Sequence, residues 1–141
     1  MTERIETQDI QKPLQRSFSL TIVAPSHRTI SCSAKTVMVP ADSGYIGVMR
    51  GHQPILASLR VGVVKVTPIE GKEFWLAVTG GFFEMIGDNA TLLADKLFEE
   101  EDLSPADKKK FEEGPFYQMD SYPDDLKKDQ MAISFLLNRV N

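Results

Sequence analysis

Residues 62–94 read GVVKVTPIEGKEFWLAVTGGFFEMIGDNATLLA, and the punctuation of this stretch sets the fold class. Val64 and Val66 lead into a turn at Ile69-Glu70-Gly71-Lys72, and Phe74, Leu76 and Val78 alternate on the way back. A period of two puts every second side chain on one face of a strand. Gly80-Gly81 then interrupts the chain. Phe83 and Met85 run into Gly87-Asp88-Asn89, a tight-turn signal because Gly and Asn tolerate positive φ. Leu92 and Ala94 alternate out of it, so the stretch reads as a meander.

Working outward, the same grammar extends toward the N-terminus. Phe18, Leu20 and Ile22 alternate with Ser19, Thr21 and Val23 until Pro25. Residues 29–39 (TISCSAKTVMV) are rich in β-branched and small polar side chains, and Pro40 with Asp42-Ser43-Gly44 reads as their end. Short apolar runs follow at 45–49 and 55–59. Many short strands with closely spaced turns predict a mainly β chain, with an antiparallel β-sandwich over residues 17–96. Residues 1–16 are polar and aperiodic and read as a flexible N-terminal arm.

After Asp95 the chemistry changes, and residues 97–141 are expected to form a short α-helical domain of two helices. Ser104-Pro105-Ala106-Asp107 is a helix start and Gly114-Pro115 a stop. That helix is nearly all charged, a solvated face offering only Leu103 and Phe111 to a partner. Residues 115–122 read as a linker. Pro123-Asp124-Asp125 opens the second helix with acids at its positive end, and Arg139 suits the other end. Leu126, Ile133, Leu137 and Val140 form one stripe, broadened by Met131, Phe135 and Leu136. Such a helix must bury that stripe, against the sandwich or against another protein.

Composition narrows the function. The 141 residues hold 42% hydrophobic and 26% charged side chains, enough for one compact domain with a small appendage. The net charge of −4 is uneven: residues 1–95 carry 9 acids and 9 bases, residues 96–141 carry 11 acids and 7 bases. A neutral body with an acidic tail argues against nucleic acid as the main partner, since phosphate binding needs a basic surface. No apolar run approaches the roughly 20 residues of a membrane-spanning helix. The N-terminus resembles neither a secretory signal nor a transit peptide, so a soluble protein is expected. One cysteine, Cys32, permits no internal disulfide, and no cation adjoins it in sequence to make it reactive.

A search for catalytic chemistry finds little. His27 and His52 are the only histidines and there is no cysteine pair, so no metal-binding spacing emerges. Gly71-Lys72 lacks the rest of a P-loop, and Gly44, Gly47 and Gly51 make no phosphate fingerprint. Asn89-Ala90-Thr91 fits a glycosylation sequon but falls in a hairpin turn. His52 near Asp42 is the one residual acid–base pairing, with no pocket to serve it. His52 reads either as a loop-organising histidine or as a contact at a protein interface. No enzymatic activity, metal or cofactor is expected.

The stretch Tyr45-Ile46-Gly47-Val48-Met49-Arg50-Gly51-His52-Gln53-Pro54-Ile55-Leu56 resembles the epsilon subunits of F-type ATP synthases, whose hallmark there is Gly-His-x-Pro between hydrophobic pairs. The likeness continues in order over residues 17–96. Phe18-Ser-Leu-Thr-Ile-Val-Ala-Pro25 fits the family's opening. Leu59 with Val61-Gly62-Val63 resembles its Leu-x-x-Gly strand entry, and Thr79-Gly80-Gly81-Phe82-Phe83-Glu84-Met85 its Ser-Gly-Gly-x-x-Glu-Val segment. Asn89-Ala90-Thr91-Leu92-Leu93-Ala94-Asp95 resembles its Asn-to-Asp ending with one residue fewer.

The resemblance implies a non-catalytic rotor-stalk protein. Its sandwich would sit beside the gamma subunit and rest on the c-ring, coupling ring rotation to ATP synthesis or hydrolysis in the head. The chain would lie on the cytoplasmic face of a bacterial inner membrane, held there only through the complex. Candidate contacts with gamma or the ring are Asp42, Tyr45, Met49, Arg50 and His52. Ile55 is a further candidate anchor, and each of these is also readable as a core or turn residue. Tyr45 stands where family members often carry an acid, and Arg50 where Pro is common. The tail is short of alanine and lacks the Asp-Arg-Ala motif that accompanies ATP binding in some members. Lys127, Lys128 and Arg139 are candidate regulatory contacts with the alpha and beta subunits. The alternatives are a stand-alone β-sandwich binding module with a regulatory helical tail, and an epsilon subunit that couples without inhibiting.

Overall fold

The structure, a computed structural model, describes residues 16–51, 54–103, 105 and 124–140 and, within its C-terminal helix, the side chains of 127–139. Nine strands run β1 (Phe18–Val23), β2 (Ile30–Ala41), β3 (Gly44–Met49), β4 (Ile55–Leu59), β5 (Gly62–Pro68), β6 (Phe74–Val78), β7 (Gly81–Ile86), β8 (Asn89–Ala94) and β9 (Leu97–Phe98). A 3-10 turn at Glu100–Asp102 follows, and helix α1 spans Asp124–Val140. The flexible arm, the helix expected from Ser104, and the loop residues His52 and Gln53 lie outside the described residues, apart from Arg16 and Pro105.

The strands form two layers that share β2. One layer has the order β4-β7-β8-β1 and closes on the first half of β2. The other places β3 and β5 on either side of the second half of β2, and continues through β6 to β9. β2 passes from one layer to the other next to a register shift between Ala34 and Thr36. Such irregularities let a strand bend around the corner of a sandwich. At the far end Ala41 meets Leu59 of β4, which links the layers again.

Three expectations need correction. The sandwich is not wholly antiparallel, because β1 pairs with β8 in parallel, Leu20 opposite Ala90 and Ile22 opposite Leu92. Pro40 does not end its strand: β2 continues to Ala41, and the Pro40 carbonyl accepts the Arg60 N–H at 2.9 Å. A proline at this position forfeits only a donor. Residues 62–94 are two hairpins, β5–β6 and β7–β8, in different layers. The switch falls at Gly80-Gly81, whose φ values of 143° and 138° are open mainly to glycine.

The alternation read from the sequence is the core. Phe18, Leu20, Ile22, Phe83, Met85 and Leu92 of one layer lie buried against Val37, Val39, Val64, Val66, Leu76 and Val78 of the other. Each such side chain contributes about 1.5–3 kcal/mol by leaving water. Half-buried Cys32 packs against this core, and burial pushes its thiol pKa up, which keeps it protonated and unreactive.

α1 covers the outer face of the second layer. Ala132, Ile133, Leu136 and Leu137 are buried with Ala77 of β6 and Leu103, and Val61, Trp75 and Phe98 pack against them. For the described stripe residues Ile133 and Leu137, the partner is therefore the sandwich together with Leu103. Met131 and Phe135 are half-buried, as broadening residues should be. Ser134, buried within α1, and Ala132 complete the seam. Polar ties also hold the helix. Lys96 Nζ donates to both carboxylate oxygens of Asp129 at 3.1 and 2.9 Å. The Arg139 guanidinium stands 5.3 Å from the centre of the Trp75 ring, which Lys65 also approaches at 5.2 Å.

Candidate functional site

With α1 covering one outer face, the other layer presents its own. Leu56 of β4, Phe82 and Ile86 of β7 and Leu93 of β8 are each at least half exposed, Leu56 at 75%. The registers place them together. Phe82 faces Leu93 across the β7–β8 pair, Leu93 is beside Val23 of β1, and Leu56 pairs with Glu84 in the row between Phe82 and Ile86. Four large apolar side chains around one carboxylate form an exposed apolar patch, a feature common at protein interfaces.

The sequence carried a signal for this face. A strand with one solvated side should alternate apolar and polar residues. Phe82-Phe83 and Leu92-Leu93 instead set apolar residues on both sides of their strands. Phe83 and Leu92 fill the core, which leaves Phe82 and Leu93 for something else.

The residues singled out from the sequence divide between the two ends of β3. Asp42 sits in the β2–β3 turn, exposed, its backbone N–H bonded to the Ser58 carbonyl at 3.0 Å. Tyr45 follows on the outer face of β3, and its hydroxyl accepts the Val63 N–H at 3.2 Å. That contact puts the ring in a groove of about 580 Å³ beside α1, with Arg60, Phe135 and Arg139. Met49, also exposed, lies at the other end of the strand, about 13 Å away at the usual rise per residue. Arg50 follows it and pairs with Asp88 at 3.2 Å, in the turn just past Ile86. Arg50 therefore borders the Ile86 end of the apolar face, Asp42 lies near its Phe82 end through Ser58, and Tyr45 turns toward α1. Ile55 is half-buried and packs on the inner core.

On α1, Lys128 is exposed beside Asp129, Lys96 and Asp95. Lys127 is half-buried, and Arg139 is engaged with Trp75.

One polar cluster escaped the sequence reading because its members lie about 75 residues apart. His27 Nε2 stands 2.9 Å from Asp102 Oδ2 and 3.4 Å from Glu99 Oε2. Arg28 Nη2 donates to both Glu99 oxygens at 2.9 and 3.0 Å. The His27 pKa is raised, chiefly by the bond of Nδ1 to the Arg28 carbonyl and further by Asp102. That of Asp102 is lowered by the Glu99 N–H and by His27, which together outweigh burial. Burial lifts the Glu99 carboxyl despite the adjacent guanidinium. His27, Glu99 and Asp102 bring one ligand atom each within 4.8 Å of one another, the spacing a metal ion would use. Their atoms are engaged in ion pairs with one another and with Arg28, so the cluster reads as a salt bridge network.

Comparison with known proteins gives a consistent pattern. Residues 17–100 match the family described as ATP synthase, Delta/Epsilon chain, beta-sandwich domain. A protein named ATP synthase epsilon chain from Polynucleobacter necessarius is 34% identical over 85 residues, covering 60% of this chain and 62% of that one. One of the same name from Brucella anthropi is 30% identical over 94 residues, covering 67% and 70%. The chain thus spans just under two thirds of the first relative's length. Among solved structures, a chain of the Euglena gracilis mitochondrial ATP synthase (OSCP/F1/c-ring) superposes with a TM-score of 0.68 at 16% identity, covering 89% of this chain and 82% of that one. A chain of the Tetrahymena thermophila mitochondrial ATP synthase central stalk and c-ring gives 0.57 at 11% identity, covering 87% and 96%. At those identities the likeness is one of fold.

Proposed function

The chain belongs to the ATP synthase delta/epsilon family, and from that premise we propose that it is a non-catalytic epsilon subunit in the central stalk of an F-type ATP synthase. It couples rotation of the c-ring to the catalytic head by gripping the gamma subunit. The observation that carries this reading is the apolar face of Leu56, Phe82, Ile86 and Leu93. It lies on the regular strands of a two-layer body and surrounds a single carboxylate, Glu84. A rigid apolar face bordered by a polar pair such as Arg50–Asp88 suits a lasting interface, in which a few buried side chains supply most of the affinity.

Contact with the ring is assigned to the other end of β3, at Asp42 and Tyr45. The ring supplies the only attachment to the membrane, on the cytoplasmic side of a bacterial cell. With α1 packed on the sandwich, Lys128 is the most exposed lysine among the described residues of the tail helix and is assigned to contact with the alpha and beta subunits.

The test is binding to purified gamma. The wild-type chain should form a stable complex that survives gel filtration. The double substitution Leu56→Glu, Phe82→Glu should weaken it at least about 100-fold, the scale of losing two buried anchors, and leave the circular dichroism unchanged. A wild-type chain that fails to bind gamma, or a double variant that binds equally well, would refute the assignment.

A further inference from the structure

The β1–β2 loop holds a histidine and an arginine against the segment that leads into the C-terminal tail. Ser26 adopts φ of 62°, a left-handed conformation that is strained for a residue with a side chain. This kink carries His27 and Arg28 toward Glu99–Asp102, the root of the tail. That root is a capped 3-10 turn: the Glu99 N–H donates to Asp102 Oδ2 at 2.7 Å. Its N–H groups at Asp102 and Leu103 donate to the Glu99 and Glu100 carbonyls at 2.9 and 3.1 Å. Leu103, the next residue, is buried under α1. The loop, the turn and the helix seat are thus mechanically in series.

The chemistry of the contact turns on one proton. His27 Nδ1 lies 2.9 Å from the Arg28 carbonyl, which can only accept, so Nδ1 carries a hydrogen. Nε2 faces Asp102 and Glu99. With a second proton from solvent on Nε2, the imidazolium donates to Asp102 and attracts both carboxylates. Without it, a nitrogen lone pair faces two anions and the contact turns repulsive. Among the described residues, the remaining charges around the imidazole are Arg28 on its own loop and Glu101, which Arg28 approaches at 3.4 Å. Glu100 and Glu73 line the adjoining cleft, so the surroundings are net negative and favour the imidazolium.

We propose that His27 and Arg28 form a proton-operated clasp: with Nε2 protonated the clasp locks the turn at the tail's root onto the sandwich, and with Nε2 bare it lets that turn open. The direction follows from linkage. The folded pKa of His27 lies above its ordinary value of 6.5. The clasp therefore contributes fully below that value, and its contribution is lost as pH rises through the raised one. Arg28 stays charged throughout and keeps its hold on Glu99, so the loss is partial.

Amide hydrogen exchange on the full chain tests this, with rates corrected for intrinsic pH dependence. Protection at Asp102 and Leu103 should fall about three- to fivefold between about pH 6 and about pH 8.5, the scale of one partly exposed ion pair. His27→Gln should show the lower protection at both pH values. A flat wild-type profile, or the same fall in His27→Gln, would overturn the proposal. Nitrogen-15 spectra of the wild-type imidazole give an independent reading: the midpoint should lie above about 6.5, and one at or below that value would equally overturn it.

Discussion

At the scale of single residues, the tightest constraints are where backbone meets backbone. Gly81 holds φ of 138°, and a Cβ there would collide with the Leu93 carbonyl oxygen of the neighbouring strand. Gly81→Ala is expected to destabilise the chain by about 2–4 kcal/mol, since strained φ and a clash with main chain add. Urea unfolding checks it through a lower midpoint with an unchanged slope. Gly62 is a similar case, because a Cβ there would stand 2.6 Å from the Cβ of Pro40. The glycines were legible as punctuation, since their residue type signals a break. The layer switch at Gly81 was not, because it depends on strands that the sequence places far away. The same reason hid the His27–Asp102 pair, which no local spacing marks.

At the scale of elements, α1 shows how unequal its two kinds of anchor are. Leu136 is wholly buried at the centre of the helix seam, whereas Arg139 stacks on Trp75 near solvent. Leu136→Ala should cost about 2–4 kcal/mol and Arg139→Ala about 0.5–1 kcal/mol, read as shifts in urea midpoint. Equal effects would contradict the packing described. The helix was legible because its apolar residues recur at helical spacing and Asp124 and Arg139 suit its ends. Its seat stays open in the sequence between the sandwich and another protein, since the apolar Trp75 and Ala77 on the other side of β6 name no partner by themselves. The docking face on β4, β7 and β8 went unread for a related reason. The Gly-His-x-Pro loop is the conspicuous motif, whereas the doubled apolar pairs Phe82-Phe83 and Leu92-Leu93 carry the information.

At the scale of the whole molecule, the shared strand dominates. β2 pairs with β1, β3, β4 and β5, so its amides open only when the two layers come apart together. Hydrogen exchange should find its slowest amides at Val37 and Val39 of β2 and its fastest strand amides in β9, a two-residue edge strand. Slow exchange centred on the β7–β8 hairpin instead would place the last-opening unit in one layer alone. The β-sandwich class followed from strand count and turn spacing. The parallel β1–β8 pairing and the double membership of β2 are long-range facts, and alternation along a strand is silent about which neighbour it has.

One covalent strand belonging to both layers has a mechanical consequence. In a sandwich joined only by side chains, a sideways load lets one sheet slip over the other at the cost of repacking grease. Here the same load pulls along the backbone between Ala34 and Val37, where peptide bonds resist and van der Waals contacts do not have to. A body built this way behaves less like two stacked cards than like a single folded plate, stiff against being sheared while it is turned.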